Sequence, residues 1–192
     1  MTGCRSVYRG LQPGTGDVEC IRKFSPQFNS TLYSTQVNVL KRHLSGLLFF
    51  KQMPDSSTRI VFANEMGFKF FDFEFDRKGN FTKHYLLPKM DKKAVVKTLR
   101  QDFELVLLRP DLRPAHTATD SHYRYTVIPT AKGNNYYITD PDCTQLERIE
   151  KSSERKPAVI VWMRHYTNGV PDTIRIVHQH FRFNISLERV EK

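Results

Sequence analysis

His178 and His180 stand two residues apart, the spacing at which side chains share one face of a β-strand. Two imidazoles so placed could bridge a metal ion, but no third ligand follows at a clear spacing, so they read as an edge or surface pair. Asp72 and Glu74 put two carboxylates on a common face, where paired acid–base chemistry could be built. They alternate with Phe71, Phe73 and Phe75, however, and so read as the polar side of a half-buried strand. Asp140 and Asp142 flank Pro141 and belong to a turn. The nucleophile elbow, the phosphate-binding loop, the dinucleotide fingerprint and the H-E-x-x-H helix are all missing. A binding module is therefore expected, not an enzyme, and no cofactor or metal is expected with it.

Three cysteines remain, at positions 4, 20 and 143, with no zinc-type spacing. Cys20 and Cys143 could pair in an exported protein. Cys4 follows Met1-Thr2-Gly3, and small residues before a cysteine are what a trimmed bacterial lipoprotein signal leaves behind. In that reading the signal peptide has been removed and Cys4 carries the lipid; the alternative is a chance cysteine near a terminus. Arg5 to Asp17 holds Gly10, Pro13, Gly14 and Gly16 without periodicity, which predicts a flexible tether. The expected organisation is residues 1–17 as lipoprotein N-terminus and tether, and residues 18–192 as one domain.

The elements that follow are mostly strands. Fourteen Phe and eight Tyr in 192 residues favour strands and large apolar contacts. Leu47-Leu48-Phe49-Phe50 and Val159 to Met163 are apolar on both faces, whereas Ile60 with Phe62 and Phe181 to Leu187 alternate. Phe68 and Phe70 are in one phase and Phe71, Phe73 and Phe75 in the other, a slip that predicts a β-bulge and a bent sheet. One helix is expected, opened by Asp91 as N-cap and closed by Pro110, with Val96, Leu99 and Phe103 on its apolar stripe. Residues 109–121 read as a connection. The total is about ten or eleven strands, and short turns between them imply antiparallel pairing in a sheet that curls or closes. The fold class is thus α+β, mainly β: one strongly curved antiparallel sheet with a single long mid-chain helix on its concave face.

The net charge of +10 suits an anionic membrane surface or nucleic acid. The cations are scattered singly, and the densest group, Lys92, Lys93, Lys97 and Arg100, reads as the solvated side of the helix. Nucleic acid is not expected as a partner.

The layout of a tether, a run of antiparallel strands, one helix and a second run of strands resembles the LolA/LolB superfamily of lipoprotein carriers and receptors. The stretch Arg59-Ile-Val-Phe-Ala-Asn-Glu-Met-Gly-Phe-Lys-Phe-Phe-Asp-Phe-Glu-Phe75 resembles LolB-like proteins in residue type, as does Gly169-Val-Pro-Asp-Thr-Ile-Arg-Ile176. The resemblance covers roughly residues 20 to 190. It implies an incomplete β-barrel around a hydrophobic cavity that takes lipid or lipoprotein acyl chains, and it raises the weight of a lipid anchor at Cys4. It further implies a monomer in the cell envelope, anchored in the outer membrane and facing the periplasm, with a role in lipoprotein localisation or lipid transport. The receptor branch carries an exposed apolar residue on a loop between early strands; the candidate loop here, Pro54 to Ser57, offers only Met53 and Pro54. The cavity lining is expected from Phe49, Ile60, Phe62, Phe71, Phe73 and Phe75, from Val96, Leu99 and Phe103, and from Trp162, Phe183 and Ile185. The competing expectations are an envelope lipoprotein with a filled core that binds a partner or serves a structural role, and, further off, a basic nucleic-acid-binding domain.

Overall fold

The computed structural model describes residues 6–153 and 155–190. Cys4 lies outside the described residues. The first half of the chain forms β1 (Gln12–Pro13), a 3-10 helix over Val18–Phe24, and then β2 (Ser30–Val39), β3 (Arg42–Gln52), β4 (Thr58–Ala63), β5 (Lys69–Phe75) and β6 (Phe81–Leu86). A short 3-10 turn at Pro88–Met90 leads into the helix α1 (Lys93–Leu107). The second half is β7 (His116–Thr119), β8 (Arg124–Thr130), β9 (Gly133–Thr139), β10 (Leu146–Ser152), β11 (Pro157–Thr167), β12 (Val170–His178) and β13 (Phe183–Arg189).

All thirteen strands join one antiparallel sheet in the order β1-β7-β8-β9-β10-β11-β12-β13-β2-β3-β4-β5-β6. Two meanders, β2 to β6 and β7 to β13, are stitched together where the last strand pairs with β2. The edges are β1 and β6, so the sheet is not closed into a barrel. This order forces the chain to travel from the β6 edge to the far meander before β7 can form. The travelling piece is α1, which crosses the concave face and packs Phe103 against Phe50 of β3 and Phe71 of β5.

Curvature has local causes. At Phe62/Ala63 the β4–β5 register shifts, so that Phe62 faces Phe71, Ala63 faces Lys69, and Phe70 is the extra residue. The phase slip in the phenylalanine run is therefore a bulge, and both Phe70 and Phe71 are buried. Gly46 of β3 lies so close to β4 that a Cβ there would stand 2.1 Å from the Ala63 carbonyl oxygen. Asn168 and Gly169 both have positive φ, as a tight type I′ hairpin between β11 and β12 requires.

Several expectations need correction. The strand count is thirteen because two short strands at one end of the sheet escape notice: β7 lies inside the supposed connection 109–121, and the edge strand β1 inside the supposed tether. The described part of that tether is docked. Pro13 is accommodated because β1 is an edge, Tyr8 stacks on Tyr136 with ring centroids 3.9 Å apart, and the Tyr8 hydroxyl donates to Glu150 at 2.6 Å. With Leu11 and Tyr123, Tyr8 covers a small second core of Ala118, Tyr125, Val127, Tyr136 and Ile138. The N-cap of α1 is Lys92, without a side-chain cap; Asp91 is engaged instead by the Lys83 ammonium at 2.6 and 2.7 Å. His178 is no edge residue either, because its ring is buried beside Asp102 of α1, with His178 Nε2 and Asp102 Oδ2 3.0 Å apart.

Cys20 and Cys143 form a disulfide across 123 residues of sequence, with Cα atoms 6.4 Å apart. It fastens the 3-10 helix, whose Ile21 and Phe24 are buried, to the turn between β9 and β10.

Candidate functional site

The interior divides into a packed half and an open half. Around the C-terminal half of α1, Phe103, Leu105 and Val106 meet Tyr33, Phe50 and Phe28, and Phe28 stacks on Phe50 at 4.0 Å. Ile60, Phe73 and Phe75 belong to this filled region and are buried in it, with Phe73 held edge-on by Phe81 at 5.1 Å.

Around the N-terminal half of α1 the same concave face encloses a cavity of about 1060 Å³. Its floor follows from strand alternation: Val37 and Val39 of β2, Leu44 and Leu48 of β3, Phe62 of β4, Phe70 and Phe71 at the bulge, and Phe183 and Ile185 of β13. Leu87 and Met90 form one wall, and Val95, Leu99 and Phe103 of α1 form the roof. Fifteen lining residues are apolar, Leu40 included, and the other five are Lys41, Arg42, Lys89, Lys92 and Arg182. Those five are all exposed and come from the strand ends and turns at the mouth. No carboxylate lines the space. The volume sits at the top of the usual range for small-molecule pockets.

Of the twelve apolar residues expected in a lining, Phe62, Phe71, Leu99, Phe103, Phe183 and Ile185 are brought together here. Ile60, Phe73 and Phe75 are core, as described. Val96 faces a separate shallow depression with Phe81, Lys93, Lys97 and Arg100. Phe49 and Trp162 are half-buried and out of phase with their buried neighbours Leu48 and Phe50, and Val161 and Met163, so they lie on the opposite face of the sheet. The residues missed were Val37, Val39, Leu44, Leu48 and Val95, which the periodicity of their elements could have found, Leu40, Phe70, Leu87 and Met90 at turns and the bulge, and the cations of the rim, which no local signal marks. The exposed apolar residues at the early hairpin turns are Leu40, 66% exposed, Met66, 93% exposed, and Phe68, 53% exposed; Met53 is half-buried.

Buried charge lies beside the cavity but not in it. Burial pushes the Asp72 carboxyl up, but Arg59, which donates at 2.7 and 3.0 Å, and Lys69, at 2.8 Å, overcome this and hold it below the ordinary carboxylate range. The Asp102 carboxyl is raised by burial, and its contact with His178 offsets only part of that. Among the described residues no group of three or more His, Cys, Asp or Glu is placed to hold a metal ion, and no helix is long and apolar enough to cross a membrane.

An open, coiled antiparallel sheet crossed by one helix over an apolar cavity is the architecture of an incomplete barrel. It is the LolA-like fold. The chain superposes on a solved LolA superfamily protein from Nitrosomonas europaea with a TM-score of 0.51 at 7% identity, over 91% of this chain and 90% of that one. A protein domain named for outer membrane lipoprotein sorting, from Vibrio parahaemolyticus, gives 0.49 at 5% identity over 91% and 90% of the two chains. A DUF1329 family protein from Desulfovibrio piger gives 0.46 at 9% identity over 90% and 88%. No family model and no curated protein matches the sequence.

Proposed function

We propose that this protein is a cell-envelope protein that binds lipid or lipoprotein acyl chains non-covalently, without catalysis. The observation that carries this reading is the apolar cavity of about 1060 Å³, held open beside a core that is otherwise packed. Native interiors contain few voids larger than a water molecule, so a space of this size with a greasy lining is suited to a guest of the same chemistry. A filled core, which a structural role would favour, is not what the lining residues form. The fold of the Nitrosomonas protein supports the same reading, and the Cys20–Cys143 disulfide supports an oxidising compartment.

Delipidated protein mixed with a dansyl-labelled undecanoic acid should enhance the probe's fluorescence with saturable binding. Leu99→Trp, which places an indole in the roof of the cavity, should abolish the enhancement while the circular dichroism stays unchanged. Failure of the wild type to bind, or unimpaired binding by the variant, overturns the reading. Lipid anchoring in the outer membrane through Cys4 belongs to the same proposal, and a diacylated Cys4 in the intact mass of protein from its native host is its test.

A further inference from the structure

The five charged residues of the cavity all have the same sign, and they sit at its mouth. Lys41, Arg42 and Arg182 come from one side, where the Leu40 amide donates to the Arg182 carbonyl at 2.8 Å and fastens the β2–β3 turn to the start of β13. Lys89 and Lys92 come from the opposing side, the segment between β6 and α1. None of the five is in an ion pair with a carboxylate among the described residues. Asp91, the nearest acid in sequence, is taken by Lys83. Like charges facing each other across an opening repel, and the arrangement gains from an anion between them.

From this charge complementarity we infer that the ligand is a phospholipid of net negative charge, its acyl chain inside the cavity and its phosphate between the two sides of the mouth. Arg42 and Arg182 supply planar donors suited to phosphate oxygens, and the lysines supply point charges. Neutral and zwitterionic lipids fill the same apolar space but leave the rim unpaired, so the head group, not the chain, sets the preference. The inference rests on the acyl-binding reading above and names the class of lipid it selects.

The test is displacement of the dansyl-labelled undecanoic acid from delipidated full-length protein by two lysolipids with the same palmitoyl chain. These are lysophosphatidylglycerol, which is anionic, and lysophosphatidylcholine, whose phosphate is neutralised by a tethered cation. Lysophosphatidylglycerol should displace the probe at a concentration about tenfold or more lower, and the preference should shrink as salt is added. In Arg42→Gln/Arg182→Gln the preference should fall towards one while displacement by lysophosphatidylcholine is unchanged. Lys41→Gln/Lys89→Gln should do the same in smaller measure, and Arg77→Gln/Lys78→Gln, at the exposed β5–β6 turn, should leave it alone. Equal displacement by the two lysolipids, or a preference that survives in both rim variants, overturns the inference while acyl binding stands. If the probe does not bind at all, acyl binding itself fails, and the head-group preference falls with it.

Discussion

Asp72 is a carboxylate on a phenylalanine strand, 2% exposed, and its two cationic partners come from the neighbouring strand β4 and from the start of its own strand. Held below the ordinary carboxylate range, it contributes stability that is complete above that range and is lost as pH falls through its folded-state value. Asp72→Asn should therefore destabilise the protein at neutral pH by about 2 kcal/mol, since charge-assisted hydrogen bonds are lost but Arg59 and Lys69 can return to water. The acid side of its stability profile should flatten, which urea midpoints between pH 3 and 7 will show. Asp102 has the opposite sign. Its raised carboxyl contributes stability that is present below the ordinary carboxylate range and is lost as pH rises through the raised value. The urea midpoint of Asp102→Asn should gain on that of wild type as pH climbs from about 4, the ordinary aspartate region, and a constant difference across pH would refute the assignment. Neither role was legible from residue type. Asp72 was rightly placed on a polar strand position, but its burial depends on the side chains of Arg59 and Lys69 lying over it. The burial of His178 depends on α1 arriving from a distant part of the chain.

At the scale of elements, the sheet needs two fastenings that the helix does not supply. The first is the disulfide, which closes a very long loop and holds the Val18–Phe24 helix against the β9–β10 turn. Long loops gain most from such closure, so Cys20→Ser/Cys143→Ser should lose about 3–4 kcal/mol in chemical denaturation, and reductant should lower the wild type to the same value. The second is the close crossing of β3 over β4 at Gly46. An alanine methyl there meets a backbone carbonyl, not a side chain that could swing aside, and Gly46→Ala should cost about 2 kcal/mol or more. Much of this architecture could be read from the chain, because alternation has a phase and the phase changes visibly at Phe70-Phe71. The hairpin at Asn168-Gly169 was readable for a similar reason, since few other pairs accept two positive φ values. Where a strand is apolar on both faces, the phase disappears, and Phe49 and Trp162 were assigned to the wrong side for that reason. β1 and β7 were missed because strands of two and four residues carry little hydrophobic pattern, and Gly and Pro beside β1 mimic a linker.

For the whole molecule, the decisive fact is that one helix is too short to fill a thirteen-stranded trough. Its C-terminal half finds a core, and its N-terminal half roofs a void. The rim of that void is assembled from residues 41–42 and 89–92, at one end of the β2–β6 meander, and from residue 182, which the pairing of β13 with β2 brings to the same end. Local sequence carries no trace of such a pairing, so the cations read as scattered. The void itself weakens the fold, because its lining lacks contacts on one side. Filling it should therefore stabilise the empty protein and disable it together. Val37→Phe, on the cavity floor, should raise the melting free energy by about 0.5–2 kcal/mol, the usual gain from filling a cavity, and should weaken fatty-acid uptake at least tenfold. Ligand should achieve the same stabilisation in the wild type. At a hundredfold excess over its dissociation constant it adds about 2.7 kcal/mol, a rise of roughly 5–10 °C for a domain of this size. Scanning calorimetry of both proteins with and without ligand separates the outcomes. A wild type that gains and a filled variant that does not would mean that the space exists for a guest, whereas a filled variant that is less stable than wild type would mean that the lining already packs as tightly as it can.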